Sequence, residues 1–493
     1  MDILNAYGVV LLCIATSLHF SLGYFQKKKR PLPPSIPGWP IVGNAFQIPL
    51  TYVHRFYKDL GQKLGSKMLY VEAMGHHIVV LNDVQIAVDL LEKRSAIYSS
   101  RPRMCMLAEV IGATQFFAIL PYGEAWRNHR RIFQQHFSTN ITPREQDKAL
   151  DFIRKSLLPN LFQKPQSFKD HLEGCIGGIS LSMTYGLPVL PTSDPLIHKS
   201  TTAFAIATST GSPGKYLVNV LPILKYVPSW FPGAGFKRWA PIAKQIVDDI
   251  RDEPYEKAIK MIDEGVAGES FVSCSLDAIQ IEEAGKGVDE RQVSERYVRQ
   301  AACQIFGAAA ETTIASISTF ILAMLKNPEI QRKAQQEVDS VVGSERLPDF
   351  LDSDELPYLN AVLKEVLRWN PISPLGVPHA TTDDDVYAGF MENGILKTDV
   401  LDPFTVATFG FGRRICPGSH IALSILYLAA ASILSLFDIS PEVDENGKPV
   451  DFEPEFTSDS IVSEPLPFPC KILPRKDKSI EELLQEYMGV DVL

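Results

Sequence analysis

Apolar residues recur at helical spacing along most of the chain and alternate at strand spacing in only a few places. Stretches around 294–325, 356–369 and 421–437 stay apolar over several turns, which predicts buried helices. A short hairpin is predicted for Lys67–Ala73 and His76–Leu81, on either side of a turn that contains glycine. The predicted fold class is therefore mainly α with small β-sheets.

The beginning of the chain has the pattern of a membrane element. Ala6–Phe25 contains no Asp, Glu, Lys or Arg, and about twenty apolar residues suffice to cross a bilayer. Basic residues follow at once, and positive flanks stay on the cytoplasmic side. We expect an N-terminal transmembrane helix as anchor over residues 1–26, a basic and proline-rich hinge over 27–44, and a single catalytic domain over 45–493. A cleaved signal peptide is the alternative interpretation.

Composition narrows the class of protein. The chain has 493 residues, of which 45% are hydrophobic, so it can bury a sizeable core. Its formal net charge is −10, which argues against a nucleic acid as partner. Seven cysteines, with no pair at the spacing Cys-x-x-Cys, favour neither a disulfide framework nor a zinc site.

One glycine-rich loop, Phe409–Gly418, combines a single cysteine with the start of a predicted buried helix. Pro417 suits the first turn of that helix, so Cys416 is expected at the helix N-terminus. Free backbone N–H groups there favour an anion, which predicts a lowered thiol pKa and a ready thiolate. A glycine-rich turn with a buried free cysteine is the alternative, and a dinucleotide-binding loop fits poorly because its third glycine is missing.

The loop resembles the haem-binding signature Phe-x-x-Gly-x-Arg-x-Cys-x-Gly of the cytochrome P450 superfamily. The residues at its fixed positions are Phe409, Gly412, Arg414, Cys416 and Gly418. The resemblance implies the cytochrome P450 fold and haem b (iron protoporphyrin IX) as cofactor. It also implies that Cys416 is the axial ligand of the haem iron.

A predicted helix carries a candidate clamp for a carboxylate. Trp126 and Arg130 are four residues apart and share one helix face, where an indole N–H and a guanidinium can bind the same group. The spacing resembles the family's helix that holds a haem propionate, although a solvated amphipathic helix gives the same pattern. The resemblance also implies propionate contacts from Arg414 and His379.

The long central helix contains the sequence Ala308–Thr313, which resembles the family's small-Gly-x-acid-Thr motif with Ala309 in place of the glycine. The Thr312 hydroxyl competes for backbone carbonyls and is expected to interrupt the helical hydrogen bonds, leaving a groove for dioxygen and water. Glu311 is expected to deliver protons there. An ordinary buried helix with a threonine pair is the alternative.

A charge pair is predicted on the helix over 356–369. Glu365 and Arg368 are three residues apart and match the family's Glu-x-x-Arg, which the resemblance makes a structural pair that locks the haem-side core. Such pairs are also common on surface helices, where they contribute little.

The resemblance as a whole implies a membrane-anchored, fungal-type haem-thiolate monooxygenase. It is expected to insert one oxygen atom of O2 into a lipophilic small molecule, such as a terpenoid, a steroid-like or an aromatic compound. Electrons are expected from NADPH through NADPH–cytochrome P450 reductase, at the endoplasmic reticulum membrane with the catalytic domain in the cytosol. A haem-thiolate isomerase or dehydratase, a non-catalytic relic and a hydrolase or redox enzyme using Cys416 are the alternatives.

One region departs from the family pattern. Only 48 residues separate Arg368 from Cys416, whereas family members place considerably more chain there. No arginine lies between Arg368 and Arg413, so the third member of the family's Glu–Arg–Arg triad has no counterpart. We therefore expect a deletion between Phe390 and Met391, which would weaken folding and haem binding.

Overall fold

A computed structural model of the chain describes residues 32–137, 141–191, 193–212, 214–282, 288–385, 387 and 407–488. The predicted anchor over 1–26 and the junction of Phe390 with Met391 lie outside these residues. The chain divides into two compact units. The smaller one consists of residues up to Pro49 together with Arg55–Asp83, and the larger one of Leu50–His54 together with Val84–Leu493.

The smaller unit contains the predicted hairpin. Strand β1 (Met68–Ala73) pairs antiparallel with β2 (His76–Leu81), and Met68 is opposite Leu81. Most of helix α1 (Val53–Leu64) belongs to the same unit. The Asn44 side chain accepts a hydrogen bond from the Glu72 backbone N–H at 3.0 Å, which ties the proline-rich segment to β1.

The described part of the larger unit is mostly helical. Its α-helices before the central one are α2 (Val84–Ala87), α3 (Ser95–Tyr98), α4 (Glu124–His136), α5 (Pro143–Phe152), α6 (Leu158–Gln163), α7 (Phe168–Tyr185), α8 (Pro195–Thr210), α9 (Leu217–Val220), α10 (Ala240–Asp263) and α11 (Phe271–Glu282). The later ones are α12 (Val288–Lys326), α13 (Pro328–Val342), α14 (Pro357–Trp369), α15 (Ser419–Leu436) and α16 (Ile480–Met488). Short π- and 3₁₀-helical turns extend or connect several of them, including Val88–Lys93 after α2 and Gly412–Arg414 before α15.

Helix α12 is the central element of the larger unit. It is longer than predicted, with 39 residues, and it packs extensively against α7 and also against α4, α8 and α15. Its middle is apolar nearly all around, as expected of a helix that is buried on every side. Residues of α12 belong to both hydrophobic clusters that form the core of this unit.

Helix α15 follows the cysteine loop, as the sequence predicted. Its residues from Ile425 to Leu436 are buried, and the chain then passes directly into strand β3 (Phe437–Pro441). Strand β3 pairs antiparallel with β4 (Cys470–Pro474) in a second two-stranded sheet. Together with the hairpin of the smaller unit, this confirms a mainly α fold with small sheets.

Among the described residues, two helices are long and apolar enough to cross a membrane by length and composition, at Arg291–Lys326 and Ser419–Leu436. Within the most apolar window of each, 78% and 72% of the residues are buried inside the protein. Both helices are therefore core elements of the larger unit, and neither is evidence for a membrane span.

The proline-interrupted segment between α8 and α10, together with the start of α10, exposes many large apolar side chains. They are Leu217, Leu221, Ile223, Tyr226, Trp230, Phe231 and, on α10, Ile242, and we call them the apolar surface cluster. Ordinary core packing does not account for side chains as exposed as Trp230 (74%) and Tyr226 (76%).

Candidate active site

The cysteine loop is closed by its own backbone. The Cys416 N–H donates a hydrogen bond to the Phe409 carbonyl at 2.8 Å, and Gly410 turns the chain with φ +80°. Gly412 also has positive φ, and a Cβ atom there would lie 2.4 Å from the carbonyl oxygen of Leu91. Only glycine fits at position 412, because any side chain would collide with the π-helical turn after α2.

The surroundings of Cys416 correct one prediction. Helix α15 begins at Ser419 with Gly418 as its N-cap, so Cys416 lies just before the first turn and not within it. Burial raises the pKa of the Cys416 thiol, and the Gly418 N–H and the Arg130 guanidinium offset this only in part. The expected low pKa is wrong for the chain alone, because desolvation outweighs the helix N-terminus.

The Cys416 side chain nevertheless remains exposed. A side chain that is exposed but also desolvated by surrounding protein borders an interior space and not bulk solvent. Ala309 behaves in the same way, since it is exposed in the middle of α12 while Phe306 and Ala310 are buried. Cys416 and Ala309 are therefore both accessible although protein surrounds them, as a site for a flat cofactor requires.

Arg414 is a buried cation beside this loop. Its side chain is 9% exposed, its Nε donates to the Ser99 carbonyl and its Nη2 to the Leu120 carbonyl, both at 2.7 Å. Its Nη1 is buried and has no hydrogen-bond partner. Burial lowers the pKa of Arg414 to about 10. A desolvated guanidinium with an unused N–H group is well suited to bind an anion.

Trp126 and Arg130 lie on α4, as predicted, but they do not form a simple pair. The Trp126 ring lies under the Arg414 guanidinium at 4.7 Å, which places an aromatic face against a buried cation. Arg130 donates from Nη1 to the carbonyl of Ile415 at 2.6 Å, so it holds the backbone next to Cys416. The predicted residues thus converge on one side of the cysteine loop.

Sequence reasoning missed a further buried arginine, Arg101. It is 8% exposed and donates to the carbonyls of Ala118, Val377 and Pro378 at 2.6–3.0 Å. Burial and the neighbouring Arg414 lower its pKa to about 9. A single arginine before a proline belongs to no recognisable sequence pattern, so Arg101 could not be predicted as a site residue. Its position follows from the pairing of two distant segments, in which Ser100 is opposite Ala380.

His379 lies near the same arginines and is neutral at physiological pH. Burial lowers its pKa to about 4, with further effects of Arg101 and Arg414. Its Nδ1 is 2.7 Å from the Tyr98 carbonyl, which can only accept a hydrogen bond, so the ring proton lies on Nδ1. In this state Nε2 is an acceptor and does not donate to a carboxylate. The predicted propionate contact therefore requires a second proton on the ring.

The three arginines leave their positive charge unbalanced. Within the described ranges, no Asp or Glu forms a salt bridge with Arg101, Arg130 or Arg414. Buried charges are normally paired, and like charges this close repel each other. The cluster together with the free Nη1 of Arg414 therefore fits a ligand with two negative charges, such as the two propionates of a haem.

The acid and the threonine of α12 lie where the sequence placed them. The Thr312 hydroxyl donates to the Ala308 carbonyl at 2.9 Å, as the expected competition for carbonyls requires. The α-helix continues through this turn, however, so the expected interruption of its hydrogen bonds is wrong. Burial raises the pKa of Glu311 to about 7, helped by Glu464 and Glu173, and its Oε1 is buried without a partner.

Glu365 and Arg368 form the predicted pair on α14, with Nη2 and Oε1 2.5 Å apart. Their side chains are 60% and 59% exposed, so the expectation that the pair locks a buried core is wrong. Exposed pairs of this kind contribute about 0–1 kcal/mol.

The family found by comparison with known sequences agrees with the groups at this site. The profile of the family described as Cytochrome P450 matches residues 33–395 and 391–471. The chain belongs to the cytochrome P450 family. This family is one of haem-dependent oxidoreductases whose members act on small molecules and generally receive electrons from a redox partner.

Relatives of full length are fungal monooxygenases. The cytochrome P450 monooxygenase ple1 of Rhodocybe pseudopiperita is 38% identical over 98% of this chain and 96% of its own length. The cytochrome P450 monooxygenase ARMGADRAFT_974139 of Armillaria gallica is 35% identical, over 97% and 99%. A tryptamine 4-monooxygenase of Psilocybe cyanescens is 34% identical, over 98% and 99%.

The comparisons also bear on the expected deletion. The alignment with ple1 has 515 positions, whereas 98% of the 493 residues is about 483, so about 32 positions of ple1 have no counterpart here. The same arithmetic gives about 36 positions for the tryptamine 4-monooxygenase. The family match itself is broken in two and resumes at residue 391, which agrees with a deletion after Phe390.

Glu311→Gln is expected to change how stability depends on pH. Since the pKa of Glu311 is raised from 4.5 to about 7, the folded chain keeps a proton that the unfolded chain loses between these values. Stability therefore falls as pH rises from 4.5 to 7, by about 3 kcal/mol. Glutamine does not ionise and avoids this loss. Denaturation by urea at several pH values should show the advantage of Glu311→Gln growing over this range.

The exposed Glu329 on α13 provides the control for this measurement. Glu329→Gln makes the same chemical change as Glu311→Gln, but at a carboxyl group that lies at the surface. The advantage of Glu311→Gln should level off above pH 7.5. An advantage that is the same at pH 4.5 and pH 7.5 would contradict a raised pKa at Glu311.

Proposed function

We propose that this chain is a haem-thiolate monooxygenase that inserts one oxygen atom of O2 into a lipophilic small molecule. The observation that carries the proposal is Cys416 on a glycine loop beside the buried Arg101 and Arg414 and the partly buried Arg130, for which the described residues provide no carboxylate partner. Haem b matches this set of groups, since it offers iron to a thiolate and two propionates to the guanidinium groups.

Cys416 would be the axial ligand of the iron. Burial raises its pKa, so the free thiol is protonated at neutral pH, and a bound metal ion would displace that proton. Arg130 fixes the neighbouring carbonyl of Ile415 and so keeps the sulfur in place. Bound haem supplies the reductive activation of O2, and thiolate ligation favours cleavage of the O–O bond.

The arginine cluster would bind the propionates. Arg414 offers its unused Nη1, while Trp126 covers the other side of the guanidinium and limits its motion. Arg101 adds a second buried charge. A propionate near His379 would raise the pKa of its ring towards the value at which Nε2 can also donate.

Glu311 and Thr312 would manage protons at the oxygen side of the site. With a pKa of about 7, Glu311 can both take and give a proton near neutral pH, which is the requirement for a general acid. The presence of this acid–alcohol pair favours a monooxygenase over a haem-thiolate isomerase or dehydratase, which needs no proton supply for O2.

The substrate class is inferred from the apolar surface cluster and from the name of one relative. The apolar surface cluster lies on the segment that roofs the substrate cavity in the family, and it suits a lipophilic compound or a bilayer surface. Terpenoid, steroid-like and aromatic compounds all fit. The name of the tryptamine 4-monooxygenase supports including aromatic substrates.

Cys416→Ala tests the proposal directly. The variant should lose the carbon monoxide difference spectrum typical of thiolate-ligated haem and all reductase-dependent NADPH oxidation. Cys274→Ala, at a partly buried cysteine of α11, is the matched control and should keep both. A normal spectrum for Cys416→Ala would assign the ligand to another residue.

We further propose that residues 1–26 anchor the protein in the endoplasmic reticulum membrane, with the hinge over 27–44 and the catalytic domain over 45–493 in the cytosol, where NADPH–cytochrome P450 reductase donates electrons. Protease added to sealed microsomes should then digest the catalytic domain. Detergent should not change the extent of digestion. Digestion that occurs only after detergent would place the domain in the lumen.

The deletion after Phe390 leads to a separate prediction. The face of α14 that carries Glu365, Arg368 and Trp369 is exposed, the last at 43%, and a full-length family member covers more of this region with chain. Because the Glu365–Arg368 pair is exposed, the absence of a third charged partner lowers the stability of the folded chain only slightly. The larger cost is expected from uncovered apolar surface, so the chain should retain less haem per protein than a chain with the segment restored.

Inserting the stretch of ple1 that aligns between Arg368 and Cys416 of this chain should restore full haem content. A glycine–serine insert of equal length is the control, because it restores chain length without an apolar face. Full haem occupancy of the chain without any insert, measured by haem absorbance per protein, would contradict the prediction.

A further inference from the structure

Glu311 is surrounded by polar side chains from elements other than its own helix. Glu173 lies on α7, Thr201 on α8, and Glu464 on the loop that precedes β4. Lys169, also on α7, forms a salt bridge with Glu464 at 3.3 Å. Three carboxyl groups, one hydroxyl and one ammonium group thus meet at one place.

Thr201 connects two of these carboxyl groups. Its Oγ1 donates to Glu173 Oε1 at 3.0 Å, and the same hydroxyl lowers the pKa of Glu311, so it also lies close to that carboxyl group. A hydroxyl has one proton to donate and lone pairs with which to accept. Thr201 can therefore donate to one carboxylate while it accepts a proton from the other carboxyl group.

The cluster reaches the protein surface on the side of α7. The Lys169 side chain is 49% exposed and that of Glu464 is 26% exposed. Glu173 is partly exposed as well. Glu311 is more deeply placed, and its Oε1 is buried with no hydrogen-bond partner. The groups therefore form a series from solvent to the buried acid of α12.

We propose that Glu173 and Thr201 form a proton path that refills Glu311 from solvent. The proposal rests on the proposed monooxygenase function, because only that reaction consumes protons at Glu311. Glu173 and Thr201 touch neither substrate nor cofactor, so they are positioning residues that act through Glu311. Lys169 and Glu464 adjust the charge of the path at its outer end.

Each cycle of proton transfer along the path moves one proton and no electrons. After Glu311 has released its proton, the Thr201 O–H proton passes to the Glu311 carboxylate, and the Thr201 oxygen takes the proton of Glu173. Water then reprotonates Glu173. The net change is one proton from solvent to Glu311, with Thr201 returned to its starting state.

The neighbouring hydroxyl of Thr202 shows the hydrogen bond expected of a threonine with a purely structural role. The Thr202 hydroxyl donates to the His198 carbonyl one helical turn back at 2.9 Å, as threonines in helices commonly do. Thr201 has the same bond to the Ile197 carbonyl at 3.0 Å, but it also contacts the carboxyl groups. Thr202 is therefore the matched control for Thr201.

The first experiment measures proton supply during turnover. Thr201→Val has nearly the same shape but no hydroxyl, and Glu173→Gln keeps hydrogen bonding but cannot carry an exchangeable acid proton. With haem-loaded full-length chain, NADPH and NADPH–cytochrome P450 reductase, both variants should oxidise NADPH about 10-fold more slowly. Their solvent isotope effect in D2O should rise, because proton delivery becomes rate-limiting.

Two further variants distinguish the path from packing. Thr201→Ser restores the hydroxyl and should restore both the rate and the isotope effect. Thr202→Val should behave like the unchanged chain. If Thr201→Val and Glu173→Gln keep the unchanged rate and isotope effect, the path does not exist.

The second experiment needs no turnover. Infrared spectroscopy follows the protonated carboxyl band that disappears in Glu311→Gln, as a function of pH. Because Glu173 raises the pKa of Glu311 and the Thr201 hydrogen bond lowers it, Glu173→Gln should shift the midpoint down and Thr201→Val should shift it up. Thr202→Val should shift it in neither direction.

The two experiments separate failure of the path from failure of the proposed function. If the unchanged chain oxidises no NADPH although it is loaded with haem, the monooxygenase function fails, and the infrared midpoints alone decide whether the three residues are coupled. Opposite shifts would support the coupling that the path requires. Unmoved midpoints would overturn the proposal whatever the turnover result.

Discussion

The site depends on buried positive charge that the chain itself does not neutralise. Arg101 and Arg414 are almost completely buried and donate several of their N–H groups to backbone carbonyls, and Arg414 lowers the pKa of Arg101. Such an arrangement is unfavourable in an isolated chain, because desolvated like charges repel. It would become favourable with a dianionic cofactor bound, in which case cofactor binding and the stability of this region would be coupled.

The same region connects distant parts of the sequence. Arg414 in the cysteine loop donates to carbonyls of Ser99 and Leu120, and Arg101 donates to those of Val377 and Pro378. Because these bonds end on backbone atoms, the arginines position the loops as well as carrying charge. Losing the ligand would therefore affect the order of several segments together.

Helix α12 has both apolar and polar surroundings within one core. Its small residues, of which Ala309 is exposed to interior space, leave room for a flat cofactor, while Glu311 meets carboxyl and hydroxyl groups of α7 and α8. A carboxyl group in these surroundings keeps its proton to unusually high pH, because both burial and neighbouring negative charge disfavour its ionised form. The helix thus joins the oxygen side of the site to groups that reach solvent.

The sequence by itself determined the local features. The helices over 356–369 and 421–437, the hairpin, the cysteine loop and the paired charges of Glu365 and Arg368 follow from spacing and motif, because each depends on residues close in the chain. The short spacing between Arg368 and Cys416 was also visible in sequence, since it is a matter of chain length. Only the tertiary structure decided the thiol pKa of Cys416, the exposure of the charge pair, the neutral state of His379, and the roles of Arg101, Glu173 and Thr201. These depend on desolvation and on contacts between segments up to 315 residues apart, as between Ser99 and Arg414, and no local pattern encodes them.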